Sequence, residues 1–217
     1  MRVKPKPAYP DTLAGWIAPE RTAVIVVDIQ VDFASPEGVL GQAGLDMSVA
    51  APAVSAAERL VDAARAAGTP VIFVGLATTP ATDSPAWGEW RRRKNGADSG
   101  GAICRAGEPG SAFFGPTPQG DETVIWKLRY SGFFGTSLDA VLRARGIDTL
   151  IVCGLTTECC VDCTVRDAFH LDYFVYVPTD ACAAYDPGIH ESALQSLALN
   201  CATLISTDQI FSAWNKE

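Results

Sequence analysis

The stretch LIVCGLTTECCVDCTVRDAF, residues 150–169, decides the fold that this sequence predicts. It opens with a short apolar run at 150–153, which is typical of a buried strand, and Gly154 interrupts that run. Apolar residues at helical spacing follow, behind polar cap candidates at Thr156, Thr157 and Glu158. A strand therefore turns sharply into a helix, and the helix N-terminus carries adjacent cysteines at positions 159 and 160.

The position of this cysteine pair indicates chemistry. Unpaired N–H groups and the positive end of the helix dipole lower the pKa of a thiol there. The backbone N–H groups of Thr156 and Cys160 are candidates for an oxyanion hole. Cysteines are more often small buried hydrophobes, and that interpretation is preferred for Cys153, Cys163, Cys182 and Cys201. For Cys159 and Cys160, spacing alone leaves both interpretations open.

Strands and helices alternate along the chain. The run TAVIVV at 22–27 is typical of a central parallel strand that is buried on both faces. A helical pattern ending at Gly68 separates it from the next strand, so the two strands are predicted to be parallel neighbours. Further strands are predicted at 70–76, 122–126, 150–153, 173–177 and 202–205. The fold class is α/β: a Rossmann-like, three-layer α/β/α sandwich with a six-stranded, mostly parallel sheet.

No linker or repeat divides the chain. Residues 1–20 hold four prolines (Pro5, Pro7, Pro10 and Pro19) and predict an extended N-terminal arm on the surface or on a partner subunit. Residues 21–217 form one domain in this prediction. Within it, residues 77–121 lack clear periodicity and predict a long, irregular, lid-like insertion, because segments of that kind are usually functional. The length suits a single domain with a sizeable core.

Composition excludes several classes of protein. A net charge of −8 and a pI near 4.8 argue against nucleic acid and anionic membrane surfaces as partners. No signal peptide or membrane span is visible, and the seven cysteines form no paired metal motif. Only two histidines are present, so a histidine-rich metal site is not possible. We expect a reduced, cytoplasmic protein.

Three chemically active side chains follow predicted strands. Asp28, Lys127 and Cys160 each lie at a carboxyl end, where parallel α/β sheets place their chemistry. Alone, Asp28 is more often a turn or capping residue, and Lys127 with Asp28 is an ordinary structural ion pair. Together with a thiol they form a working set, in which Lys127 stabilises the thiolate and Asp28 moves protons. Cys160 attacks a carbonyl, and water hydrolyses the resulting thioester.

The chain resembles the isochorismatase-like cysteine hydrolase family, a group that includes nicotinamidases, N-carbamoylsarcosine amidases and biuret hydrolases. Three pieces carry the resemblance: VIVVDIQVDF with Asp28, VIWKLRYSGFFGTSLDAVLRARGI with Lys127, and GLTTECCVDCTVRDAF with Cys160. The family's nucleophile directly precedes a valine in a T-x-x-C-V pattern, so the resemblance selects Cys160 over Cys159. It also implies a cis peptide bond in this turn, which here falls between Leu155 and Thr156.

The resemblance implies hydrolysis of a C–N amide bond, since true isochorismatases lack this cysteine. The region after the second strand has no histidine, so we predict no metal and no other cofactor. The run KLRYSGFFGTSLDAVLRARGI is most similar to ureidoacrylate amidohydrolases, which favours a small carbamoyl or ureido substrate and release of ammonia. The family also implies a homo-oligomer, a dimer or tetramer. Core packing is an equal alternative for each candidate pocket residue: Gln30, Phe33, Trp87, Trp90, Tyr130 and Phe133.

Other functions stay open at this point. The substrate of such an enzyme could be biuret-like, or a heteroaromatic carboxamide resembling nicotinamide, although the missing histidines count against the latter. A flavodoxin-like binding domain would require a glycine-rich phosphate loop after a strand, and neither GxGxxG nor GxxxxGK occurs. A catalytically silent interaction module is disfavoured by the intact set of Asp28, Lys127 and Cys160.

Overall fold

A computed structural model describes residues 9–95 and 102–215. In this part of the chain, seven strands form one sheet. Their bounds are β1 Thr22–Val27, β2 Val71–Leu76, β3 Thr123–Lys127, β4 Thr149–Leu155, β5 Phe174–Pro178, β6 Cys182–Ala183 and β7 Thr203–Ile205. All six residues of β1 are buried, as a central strand covered on both faces requires.

The sheet runs in the order β3-β2-β1-β4-β5-β7, and the short β6 pairs with the end of β4. Every strand pairing is parallel. The first two strands are neighbours, with Val24 opposite Val71, as right-handed crossover logic predicts. Chain order reverses at β1 and β4, so the crevice beyond their carboxyl ends is a topological switch point.

Helices cover both faces of the sheet. Their bounds are α1 Leu13–Trp16, α2 Val31–Ala34, α3 Val39–Gln42, α4 Ala51–Ala67, α5 Pro85–Asn95, α6 Leu138–Ala144, α7 Asp162–His170, α8 Pro187–Asn200 and α9 Thr207–Trp214. α4 packs on β1 and β2 with α9 beside it, whereas α7 packs on β5 with α8 beside it. Gly68 closes α4 in the left-handed conformation that its sequence predicts. The α/β/α layers are therefore confirmed.

The structure corrects several details. The predicted six strands become seven, because residues 182–183 add a short ladder against Gly154 and Leu155. Helix α5 occupies part of the segment that we expected to be irregular. Ser137 is the N-cap of α6, and the Asp139 carboxylate accepts from the Tyr173 hydroxyl at 2.8 Å.

The N-terminal segment is only partly described, since residues 1–8 of the predicted arm lie outside the described ranges. From Tyr9 onward it folds back on the domain, and the Tyr9 ring stacks on Trp16 with centroids 5.5 Å apart. A helical turn, α1, replaces the extended chain that we expected. The arm and the lid-like role of residues 77–121 stay predictions.

Candidate active site

The first candidate residue, Asp28, lies directly beyond the end of β1. Its side chain is fully buried, and its backbone has an unusual positive φ of 50°. The Asp28 N–H donates to the carbonyl of Val74 at 2.8 Å, which fixes this bend against the neighbouring strand. The capping alternative fails, because the carboxylate caps no helix and lies 2.6 Å from the ammonium of Lys127.

Lys127 ends β3 and is 1% exposed. Its Nζ atom lies 2.6 Å from Asp28 Oδ2 and 3.5 Å from Cys160 Sγ, and it donates to the Arg129 carbonyl at 2.9 Å. An ammonium has three N–H donors, so each has one partner. The ammonium therefore joins the carboxylate to the thiol, and all three predicted residues meet at one point.

Cys160 lies on a π-helical turn, Thr157–Val161, which precedes α7. We expected Thr156, Thr157 or Glu158 to cap this helix, but the N-cap, Thr156, makes no side-chain capping bond. Thr164 holds the turn instead: its hydroxyl donates to the Cys160 carbonyl at 2.6 Å and accepts from Gly132 N–H at 3.0 Å. The Cys160 side chain is thus fixed between two elements, with only 7% of the residue exposed.

Asp28 and Lys127 stabilise each other's charged form in the buried site. Burial raises the pKa of Asp28, and the charge of Lys127 opposes that rise. Burial also disfavours the charged form of Lys127, but the negative charge of Asp28 and the contacts with Asp28 and Cys160 outweigh it and raise the pKa of the lysine. Lys127 therefore stays an ammonium at neutral pH, while Asp28 is a stronger base than an exposed carboxylate.

The electrostatics around Cys160 oppose the thiolate that we expected there. A hydrogen bond with Cys159, burial, and the Asp28 carboxylate together raise the pKa of Cys160 well above its usual range. The charge of Lys127 opposes this rise without reversing it. The electrostatics of the resting site therefore favour a thiol at Cys160, and Lys127 Nζ donates to its sulfur at 3.5 Å.

Backbone geometry around Thr156 bears on the predicted oxyanion hole. The Leu155–Thr156 peptide bond is cis. The Thr156 carbonyl accepts from the N–H groups of Cys159 and Val161, both at 3.1 Å. The Thr156 N–H has no acceptor among the described residues. The hole formed by the Thr156 and Cys160 N–H groups stays a prediction, with one donor available for it.

Among the predicted pocket residues, Tyr130 and Trp87 lie together near the cysteines. Burial and the neighbouring Cys159 raise the pKa of Tyr130, while a hydrogen bond with the Trp87 side chain lowers it. Trp87 is half-buried on α5, and the Arg91 guanidinium lies 4.7 Å from its ring centroid. A role of Tyr130 and Trp87 in substrate binding stays a prediction.

The other four predicted pocket residues have different surroundings. Gln30 is fully buried, donates to the carbonyls of Leu76 and Ser111, and accepts from Leu76 N–H, so its amide serves the fold. Phe133 packs with Tyr173, their centroids 5.8 Å apart. Trp90 is half-exposed beneath Lys94, and Phe33 packs on the core.

Sequence reasoning missed Tyr185, in the loop before α8. Its hydroxyl donates to the Phe33 carbonyl, joining that loop to the end of α2. Burial raises the pKa of Tyr185, and the negative charge of Glu158 adds to the effect. Its signal in sequence is weak, because a single tyrosine in an irregular loop has no periodicity or motif to mark it.

Two other features are absent from the described ranges. No group of three or more histidine, cysteine or acidic residues there is arranged to hold a metal ion. No helix in the same part of the chain is long and apolar enough to cross a membrane. The predicted absence of a metal, the cytoplasmic location and the oligomeric state stay predictions.

Fold and site together define a class of protein. It is an α/β/α protein with a parallel sheet, whose switch point holds a buried aspartate, lysine and cysteine. The family model described as "Isochorismatase domain" matches residues 22–209. The chain belongs to that family.

Curated relatives are similar over most of their length. The ureidoacrylate amidohydrolase RutB of Azorhizobium caulinodans is 40% identical over 185 residues, covering 81% of each chain. RutB of Pseudomonas syringae pv. syringae is 38% identical over 207 residues, covering 91% of this chain and 82% of the relative.

Solved structures agree with the fold. A cysteine hydrolase from Pseudomonas syringae pv. phaseolicola 1448A has a TM-score of 0.78 and 33% identity, covering 92% of this chain and 94% of that one. N-carbamoylsarcosine amidase from Thermoplasma acidophilum has a TM-score of 0.70 and 31% identity, covering 87% and 97%.

Proposed function

We propose that this protein is a cysteine amidohydrolase that cleaves a C–N bond in a small carbamoyl or ureido compound and releases ammonia. The observation that carries the proposal is the position of Lys127 Nζ, 2.6 Å from Asp28 Oδ2 and 3.5 Å from Cys160 Sγ. The names of the curated relatives, ureidoacrylate amidohydrolases, support the ureido class.

In the first half-reaction Cys160 is the nucleophile. Its sulfur bonds to the substrate carbonyl carbon while its proton passes to Asp28, and the carbonyl electron pair moves onto oxygen. The Thr156 and Cys160 N–H groups hold that oxyanion; losing one such donor typically costs about a hundred- to a thousand-fold in rate. The C–N bond then breaks as nitrogen takes the proton from Asp28. Ammonia departs, and the substrate's carbonyl carbon stays bonded to the Cys160 sulfur as a thioester.

The second half-reaction regenerates the thiol. Water bonds to the thioester carbon and gives a proton to Asp28, and the C–S bond then breaks as sulfur recovers that proton. A ureido substrate yields a carbamic acid, which loses carbon dioxide. Lys127 stays protonated throughout and limits the charge that develops on the carboxylate and sulfur.

Ammonia release across a substrate panel tests this function. The panel holds ureidoacrylate or a stable ureido analogue, biuret, N-carbamoyl amino acids and nicotinamide. Wild type is compared with Cys160→Ser, and Cys159→Ser is the matched control because it changes the adjacent thiol. We expect wild type and Cys159→Ser to release ammonia from a ureido or carbamoyl compound, and Cys160→Ser to be inactive.

Three results would contradict the proposal. Full activity in Cys160→Ser would move the nucleophile elsewhere, with Cys159 the next residue to change. Nicotinamide as the best substrate would replace the ureido class with a heteroaromatic carboxamide. Silence of wild type on every compound would favour a binding or interaction module.

A further inference from the structure

A histidine outside the triad is bonded to the turn that carries Cys160. His190, near the start of α8, has its Nδ1 atom 2.8 Å from the hydroxyl oxygen of Thr157. Thr157 is fully buried, and His190 is only partly exposed. The bond therefore joins two elements through residues that are 33 positions apart in sequence, and it is partly buried.

Thr157 lies at the start of the turn that carries Cys160. It is the first residue of the π-helical turn and directly follows Thr156, the proposed oxyanion donor. No side chain caps this turn at Thr156. A threonine hydroxyl held by a separate helix therefore supplies a fixed point that the turn's own N-cap does not.

We propose that His190 is a positioning residue, which holds Thr157 and thereby orients the Cys160 sulfur and the Thr156 N–H toward the reacting carbonyl. This inference deepens the proposed function and rests on it for the identity of the reaction. Small displacements of a nucleophile or an oxyanion donor lower rates strongly, because both must meet one carbonyl group in a fixed geometry.

The ring is suited to a constant hydrogen bond. Burial lowers the pKa of His190, and Glu158 opposes that shift only in part, so the ring is neutral at neutral pH. In one neutral tautomer Nδ1 accepts the Thr157 hydroxyl proton; in the other it donates N–H to the hydroxyl oxygen. Either tautomer makes a single bond at the same distance.

Paired substitutions test the role. Thr157→Val replaces the hydroxyl with a methyl group, His190→Ala removes the ring, and the double variant removes both. We expect each single variant to lower kcat about tenfold with KM unchanged, since neither side chain contacts the substrate. The double variant should be no slower than either single variant, because all three lack the same bond.

Conservative and matched variants separate positioning from general stability. In His190→Asn an amide group lies where Nδ1 lies, so it should recover most of the rate, whereas His190→Gln places its amide near Nε2 and should not. Ser196→Ala removes a different contact between α7 and α8, the 3.0 Å bond from Arg166, and should leave kcat unchanged.

A second readout does not require the natural substrate. Acylation of Cys160 by p-nitrophenyl acetate releases a burst of nitrophenolate, and the burst must be absent in Cys160→Ser. We expect the burst rate constant to show the same tenfold losses and the same recovery by His190→Asn. If no amide is hydrolysed but the burst behaves in this way, the proposed substrate class fails and the role of His190 stands.

Several results would overturn the role of His190. Additive losses in the double variant would show that the two residues act separately. Equal losses in Ser196→Ala, or rate losses that only follow the folded fraction in thermal melts, would show a merely structural contact. A wild-type protein without any Cys160-dependent burst would overturn this inference together with the proposed nucleophile.

Discussion

At the scale of single residues, the burial of a complete ion pair dominates the site. Asp28 and Lys127 are 0% and 1% exposed, so removing one partner leaves an uncompensated charge in the core. We expect Lys127→Met to abolish ammonia release and to lower the free energy of unfolding by about 3–5 kcal/mol. Urea unfolding at neutral pH measures the loss.

The matched control is the double variant Asp28→Asn with Lys127→Met, which removes both charges. It should recover most of the lost stability and none of the activity, because a neutral pair costs little to bury whereas the reaction needs the base. A double variant as unstable as Lys127→Met would show that packing of the lysine stem, rather than its charge, stabilises the site.

The pH dependence of catalysis follows from the same residue pair. Asp28 must be ionised to accept the thiol proton, so kcat/KM should fall as pH drops through its pKa in the free enzyme. Burial raises that pKa above the usual 3.8, so the acid limb should lie above the range of an exposed aspartate. A pH–rate profile from about pH 3 upward checks this, and an acid limb at or below the usual value would contradict the raised pKa.

At the scale of elements, β4 approaches β1 unusually closely just before the nucleophile turn. Gly154 has a φ of 126°, and an added Cβ there would lie 2.0 Å from the carbonyl oxygen of Val27. Separating two central strands would break their hydrogen bonds and packing. We therefore expect Gly154→Ala to prevent folding or to lower the free energy of unfolding by more than about 4 kcal/mol. Soluble yield and urea unfolding report the effect.

Gly146 provides the control for this prediction. Its φ is 70°, but an added Cβ would meet nothing within 4 Å, so Gly146→Ala pays only the left-handed backbone cost of about 1–2 kcal/mol. If both alanine variants were equally stable, the close contact with Val27 would not be the reason that position 154 requires glycine.

Sequence patterns predicted elements that are set by burial, and missed those set by local contacts. The run at 22–27 could be read because all six residues are buried in one strand. Helix α5 has no apolar stripe; a Ser84 cap and pairs such as Trp87–Arg91 and Glu89–Arg92 mark it instead. These i, i+4 and i, i+3 spacings were present in the sequence but are weak signals.

In the candidate active site, too, some features could be predicted from the sequence and others could not. Asp28, Lys127 and Cys160 could be found because each follows a strand, and strand ends in a parallel sheet converge. The direction of the pKa shift of Cys160 could not be predicted, since it depends on the contact with Cys159 and on complete burial, which only the structure gives. Tyr185 and His190 reach the site through single long-range bonds, to Phe33 and Thr157, and no local pattern encodes such bonds.

At the scale of the whole molecule, the carboxyl ends and the amino ends of the strands differ in function. Carboxyl ends of the strands hold the candidate active site, whereas α1 and α9 are in contact on the side that precedes the amino end of β1. There the Trp214 indole of α9 donates to the buried Ile17 carbonyl at 2.8 Å, joining residues 197 positions apart. This separation predicts that stability can be lost at one end of the strands without affecting chemistry at the other.

Trp214→Phe tests that separation, because it keeps an aromatic ring and removes the donor. An unpaired buried carbonyl costs about 1–3 kcal/mol, which lowers Tm by roughly 2–4 °C per kcal/mol in a chain of this size. Ser212→Ala, on the exposed side of the same helix, should leave Tm unchanged. Below the transition, kcat and KM for ammonia release should equal those of wild type; a lower kcat in fully folded Trp214→Phe would show that the two ends of the strands are coupled through the sheet.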